Sequence, residues 1–107
     1  MAAENLNNRQ FAALLQKEKP LLVDFWAPWC VHCRRIASAY DRIAEQYGDE
    51  LVVAKVNIDL EPALADQEQI EMIPTLVLYR KGKALGSVVA PQSRASIEEF
   101  IRQTLAK

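Results

Sequence analysis

Apolar and polar positions recur with two different periods along this chain, and the changes of period mark its elements. Phe11, Leu14 and Leu15 fall on one helical face after Asn7 and Asn8, either of which suits a helix N-cap, and Pro20 stops the segment. Residues 2–6 predict a short edge strand. Residues 21–26 are apolar on both faces apart from Asp24, the pattern of a central strand covered on each side. From Cys33 the period becomes helical. Cys33, Ile36, Ala37, Tyr40, Ile43, Ala44 and Tyr47 form one stripe, with Gly48 at the C-cap position. Residues 51–58 alternate as a second central strand, with Val52, Ala54, Val56 and Ile58 facing one way and Val53, Lys55 and Asn57 the other. Residues 62–70 predict a short helix with Pro62 in its first turn. Residues 75–80 and 84–89 read as a hairpin joined by Lys81-Gly82-Lys83. A last helix starts at Ser93, or at Ser96 with Glu99 three residues on, and buries Ile97, Phe100, Ile101 and Leu105.

Strands separated by helices pair in parallel, and hairpin strands pair antiparallel. The expected architecture is therefore α/β: a central mixed sheet of four to five strands flanked by about four helices.

Composition narrows the function classes. The 107 residues suit one domain, 1–107, long enough to bury a core without cross-links. The net charge is -1, so no basic surface argues for nucleic acid. No apolar run reaches the ~18 residues of a membrane span. The start, MAAENLNNRQ, lacks a charged-then-apolar signal pattern, which predicts a cytoplasmic protein, although a trimmed chain would read the same way.

The candidate chemistry lies in FWAPWCVHCRR, residues 25–35, which holds both cysteines and the single histidine. A structural staple, half of a metal site and a redox pair compete for it. A reducing cytosol argues against a permanent staple. Structural zinc takes four Cys or His ligands, and the chain has three such residues, so no metal is expected. Haem attachment needs His directly after the second cysteine, where Arg34 stands. Two inert core cysteines stay open as an alternative. Periodicity puts Cys33 at the start of the buried stripe and Cys30 one turn earlier, at a helix tip open to solvent. Unpaired N–H groups and the helix dipole there favour a thiolate, the reactive form. Cys30 is thus the expected nucleophile and Cys33 its sheltered partner. His32, as imidazolium, would stabilise the Cys30 thiolate and make the pair more oxidising.

VDFWAPWCVHC, followed by AKVNID, IPTLVLYRKG and the closing helix, resembles the thioredoxin family from about residue 20 to the end. The resemblance implies a thioredoxin fold and thiol–disulfide exchange, with Cys30 attacking and Cys33 resolving. It implies that Asp24 is the buried acid moving the proton of Cys33, and that Lys55 tunes that acid. A buried acid in a covered strand needs such a partner in any case. Ile73-Pro74-Thr75 matches the family's cis-proline segment, which faces the cysteines and pairs with an extended substrate; an ordinary trans proline entering a strand is the alternative. The implied docking patch is Trp29, Val31, Met72, Ile73 and Pro74, with Pro28 and Pro91 beside it. Trp26 fits plain core packing as well as a site role.

The departures from the family pattern are specific. Val31-His32 replaces the usual Gly-Pro and leans toward disulfide isomerases and oxidants. Ser38 replaces a helix proline, so a weaker kink is expected. Met72 and Ala90 replace small residues and glycine along the groove, which should narrow it. The expected function is reduction of protein disulfides by a monomer, with no cofactor of its own and electrons from a separate reductase. The alternatives are an isomerase or oxidase in an oxidising compartment, and a non-catalytic binding module with idle thiols.

Overall fold

The computed structural model describes residues 3–107. Its elements in chain order are β1 (Glu4–Asn5), α1 (Asn8–Leu15), β2 (Leu21–Trp26), α2 (Val31–Tyr47), β3 (Val52–Asn57), α3 (Pro62–Gln67), β4 (Thr75–Arg80), β5 (Lys83–Val89) and α4 (Arg94–Leu105). The five strands form one sheet in the order β1-β3-β2-β4-β5. β2 pairs in parallel with β3 and antiparallel with β4, so the sheet is mixed and β2 is its middle strand.

The alternation of β2 sorts its side chains onto two layers. Leu21, Val23 and Phe25 pack with Phe11 of α1 and Leu64 of α3. Leu22 points the other way, into a layer built with Ile36, Tyr40 and Ile43 of α2 and Ile97 and Ile101 of α4. Asp24 and Trp26 follow Leu22 on that second face. Phe11 closes the first layer edge-to-face on Tyr79, with ring centroids 5.2 Å apart.

Tyr40 is fully buried, and its hydroxyl donates to Ala54 O at 2.7 Å, with Leu22 O at 3.2 Å. It thereby ties α2 to both central strands. Burial, and then the charge of nearby Asp24, hold the phenol well above its ordinary range, so it stays a donor. Tyr40→Phe is expected to cost about 1–3 kcal/mol, read as a lower urea midpoint with an unchanged slope.

Differences from the expected boundaries have local causes. Of residues 2–6, only Glu4–Asn5 pair as a strand, and residue 2 lies outside the described residues. Asn7 is the cap of α1, in a reciprocal box with Gln10. Ser93, not Ser96, caps α4, because the Ser96 side chain returns the bond at the third helical position. Lys83 belongs to β5: the hairpin turn is only Lys81-Gly82, at φ 53 and 80, the two left-handed residues of a tight primed turn. α3 stops at Gln67, and Gln69 follows with φ 60. β3 excludes Leu51 and Ile58. Ala37 is exposed, on the border of its helix's apolar face. Gly48 does cap α2, but with right-handed φ -57. α2 runs as a single helix through Ser38.

Candidate functional site

The site forms where β2 ends and α2 begins. Cys30 is the N-cap of α2, with extended φ -82 and ψ 113. Its carbonyl accepts the first helical bond, from Arg34 N at 3.1 Å, and its Sγ accepts from the Cys33 N–H at 3.2 Å. A sulfur thus stands where a serine or aspartate oxygen caps most helices. The two sulfurs are bonded as a disulfide, with the Cα atoms 5.2 Å apart. Cys33 is 3% exposed and Cys30 9%, so the contrast between them is smaller in this bonded form than the sequence predicts. Ala27, Trp26, Ile58 and Ile73 pack around the pair.

The Ile73–Pro74 peptide is cis, and Ile73 O lies 3.9 Å from Cys30 Sγ. The segment therefore faces the disulfide across a short gap. Ala90 N donates to Pro74 O at 2.8 Å, and Ala90 adopts φ 50, a left-handed conformation that usually selects glycine. His32 sits in the first turn of α2 with Nε2 3.1 Å from Pro91 O. That carbonyl requires a hydrogen on Nε2, which an imidazolium or one neutral tautomer supplies. The proline carbonyls at 74 and 91 thus anchor this wall to residues on both sides of it.

Around the disulfide, Trp29, Val31 and Met72 are largely exposed, at 63%, 54% and 64%. Pro28 is exposed, Ile73 is half-buried, and Pro74 and Pro91 are buried. Trp29 Nε1 donates to Asp59 Oδ2 at 3.0 Å. Leu60, next to that aspartate in the chain, is 72% exposed. Asp59 and Leu60 carry no signal in the sequence that marks them as part of a site. Large exposed apolar residues grouped around one site are the usual mark of a docking face.

Asp24 is 2% exposed, and its Oδ1 has no hydrogen-bond partner. Burial is the main influence on it, and the Lys55 ammonium acts in the opposite sense; the carboxyl is raised from 3.8 to about 7. Lys55 is the register partner of Asp24 on β3, and its Nζ lies over the Trp26 ring, 5.1 Å from the centroid. Trp26 Nε1 donates to Asn5 Oδ1 at 2.8 Å. The fold thus gathers Cys30, Cys33, His32, Trp29, Val31, Met72, Ile73 and Pro74 at one end of the sheet. Asp24 and Lys55 lie just inside, on the face of β2 that leads to Trp26.

The profile of the Thioredoxin family matches residues 2–103. Thioredoxin 1 of Synechococcus elongatus is 43% identical over 92 residues, 86% of each chain. The thioredoxin of Acidithiobacillus ferridurans is 44% identical over 92 residues, 86% of this chain and 85% of its own. The thioredoxin of Alicyclobacillus acidocaldarius is 36% identical over 104 residues, covering 97% of this chain and 99% of its own. Among solved structures, the thioredoxin of Malassezia sympodialis superposes with a TM-score of 0.88 at 26% identity, over 96% of this chain and 90% of that one.

Proposed function

The chain belongs to the thioredoxin family and is a thiol–disulfide oxidoreductase, and from that premise we propose how its residues divide the work. Cys30 is the attacking sulfur, Cys33 the resolving one, and protein disulfides are the substrates. One observation carries this division: Cys30 Sγ caps α2 and accepts the Cys33 N–H, within bonding reach of Cys33 itself. When the pair is reduced, that N–H and the helix tip stabilise a thiolate on Cys30.

Asp24 takes up and returns the proton of Cys33. A carboxyl raised to about 7 is half-ionised near neutral pH, where a proton carrier works in both directions. Lys55 sets where in that range it works. Trp29, Val31, Met72, Ile73 and Pro74 receive the substrate, whose extended backbone lies along the cis-proline segment. Ala90 narrows this groove: its backbone is bonded to Pro74 O, so its Cβ stands beside the segment where glycine would have none. The chain acts as a single-domain monomer in a reducing compartment, the cytoplasm, and a separate reductase supplies its electrons. A reducing compartment is the setting in which the dithiol form persists.

His32 raises the potential by favouring the Cys30 thiolate. The value expected lies between about -270 mV, typical of thioredoxins, and about -180 mV, typical of protein disulfide isomerases. Equilibration with glutathione measures it. His32→Pro is expected to lower it by ~30 mV, the equivalent of ~1.4 kcal/mol at the helix tip. An unchanged potential would remove the imidazole from the mechanism. A wild-type value at or above -180 mV, with reactivation of scrambled substrate, would mark an isomerase instead.

A further inference from the structure

β1 is only two residues long, yet it places one side chain in a row that ends at the buried acid. The parallel ladders set Asn5 opposite Lys55 and Lys55 opposite Asp24. The three positions lie side by side across β1, β3 and β2. Trp26, two residues beyond Asp24 on the same face of β2, reaches back across β3. Its ring lies over the Lys55 ammonium, and its Nε1–H ends on Asn5 Oδ1 at 2.8 Å. The indole is thus held at its edge from β1 and at its root from β2, with the lysine head over its ring.

We propose that Asn5 is a positioning residue for the proton chemistry at Asp24: its side-chain carbonyl fixes the Trp26 indole, and the indole face holds the Lys55 ammonium beside the carboxyl. A lysine at a half-buried position has a long flexible stem and a strongly hydrated head, and both draw it toward solvent. The ring's negative face opposes that escape. A ring free to turn about its own side-chain bonds would hold the ammonium only part of the time. The hydrogen bond to Asn5 removes that freedom.

The groups acting on Asp24 are few. From β3 the Lys55 ammonium attracts its charge, and from α2 the Tyr40 hydroxyl lies in its field. Of the other titratable groups of that helix at the site, Cys33 is bonded to Cys30 in the oxidised form and the His32 ring meets Pro91 O. β4 sets apolar Leu76 opposite Asp24. In the oxidised protein, movement of Lys55 is therefore the change that registers most directly on the acid. With the ammonium less often in place, ionisation becomes harder and the midpoint moves up.

The experiment is a carbon-detected NMR titration of the Asp24 carboxyl in the disulfide form, without substrate. Asn5→Ala is expected to lower the ionisation constant on the order of two- to fivefold, the scale of one cation–π contact. Trp26→Phe removes the indole N–H while leaving a ring, and is expected to move the midpoint the same way. In a Lys55→Met background, Asn5→Ala is expected to change nothing, because the residue it positions is gone. The proposal is overturned if Asn5→Ala leaves the midpoint at the wild-type value, whatever Trp26→Phe does. It is equally overturned if the Asn5→Ala shift keeps its size without Lys55. The inference rests on the role proposed for Asp24, yet the titration involves no exchange step. A failure here leaves the chemistry of Cys30 standing, and a failure of that chemistry leaves this titration readable.

Discussion

Cys30→Ser is expected to bring insulin reduction down to the uncatalysed background, while Cys33→Ser stalls the reaction at a covalent adduct. The difference follows from the order of bond changes. The Cys30 thiolate attacks one sulfur of the substrate, forming a Cys30–substrate disulfide and releasing the other substrate sulfur as a thiolate. Cys33, deprotonated, then attacks Cys30 Sγ, and the second substrate sulfur leaves. Two electrons and the protons of the two thiols have passed to the substrate, and Cys30–Cys33 is oxidised. A serine at 30 provides no thiolate for the first step. A serine at 33 permits the first step and forbids the second, so the adduct accumulates and mass spectrometry finds it.

Neither variant should unfold the protein. The ring closed by residues 30 and 33 is very short, and the chain-entropy contribution of so small a loop is only about 2 kcal/mol. The layers around Phe11 and Tyr40 do not depend on it. Insulin reduction that survived in Cys30→Ser would show that the attacking sulfur had been assigned wrongly. Rapid turnover by Cys33→Ser, with no adduct, would show that release does not need the second thiol.

What the sequence made legible was whatever a local pattern can carry. The two layers of β2, the cap of α1 and the stripe that begins at Cys33 all follow from the identities of residues a few positions apart. The family motifs pointed to Cys30, Cys33 and Pro74 because each lies in a short run of characteristic residues. Contacts between distant segments left no such trace. Asn5 meets Trp26, Trp29 meets Asp59, and His32 meets Pro91 only after the sheet is assembled. In each of these pairs one partner is an ordinary polar or loop residue. Asn5 reads as a polar residue of a short edge strand, and Asp59 as part of a turn. The cis state of the Ile73–Pro74 bond is likewise fixed by surroundings that the residue order does not spell out. Ala37 fell on the wrong side for a related reason. A small apolar residue at the border of a helical stripe is tolerated in either environment, so periodicity alone does not place it.

The wild-type disulfide form is expected to lose stability between about pH 4 and pH 7, and Asp24→Asn to flatten that fall. The native carboxyl titrates at about 7, against 3.8 ordinarily. Over that interval the native state keeps a proton that the unfolded chain has released. The native state binds more protons, so stability falls as pH rises through the window, and it levels off above the native value. Some three pH units at ~1.4 kcal/mol each set an upper bound of about 4 kcal/mol on the loss. Asparagine matches the shape without the charge. At pH 4 it should leave stability near the wild-type value, less the ~1–3 kcal/mol that imperfectly paired amide atoms cost. At pH 8 it should be the more stable protein, because the wild type there holds a buried charge whose Oδ1 has no hydrogen-bond partner. Urea unfolding at the two pH values decides the point, and parallel pH profiles for the two proteins would refute it. The same variant should prolong the Cys30–substrate adduct near neutral pH, since Cys33 then lacks the group that accepts its proton. An acid that weakens the fold at working pH and speeds release of the product is a stability cost tied to function, and the two readouts must move in opposite directions for that account of Asp24 to hold.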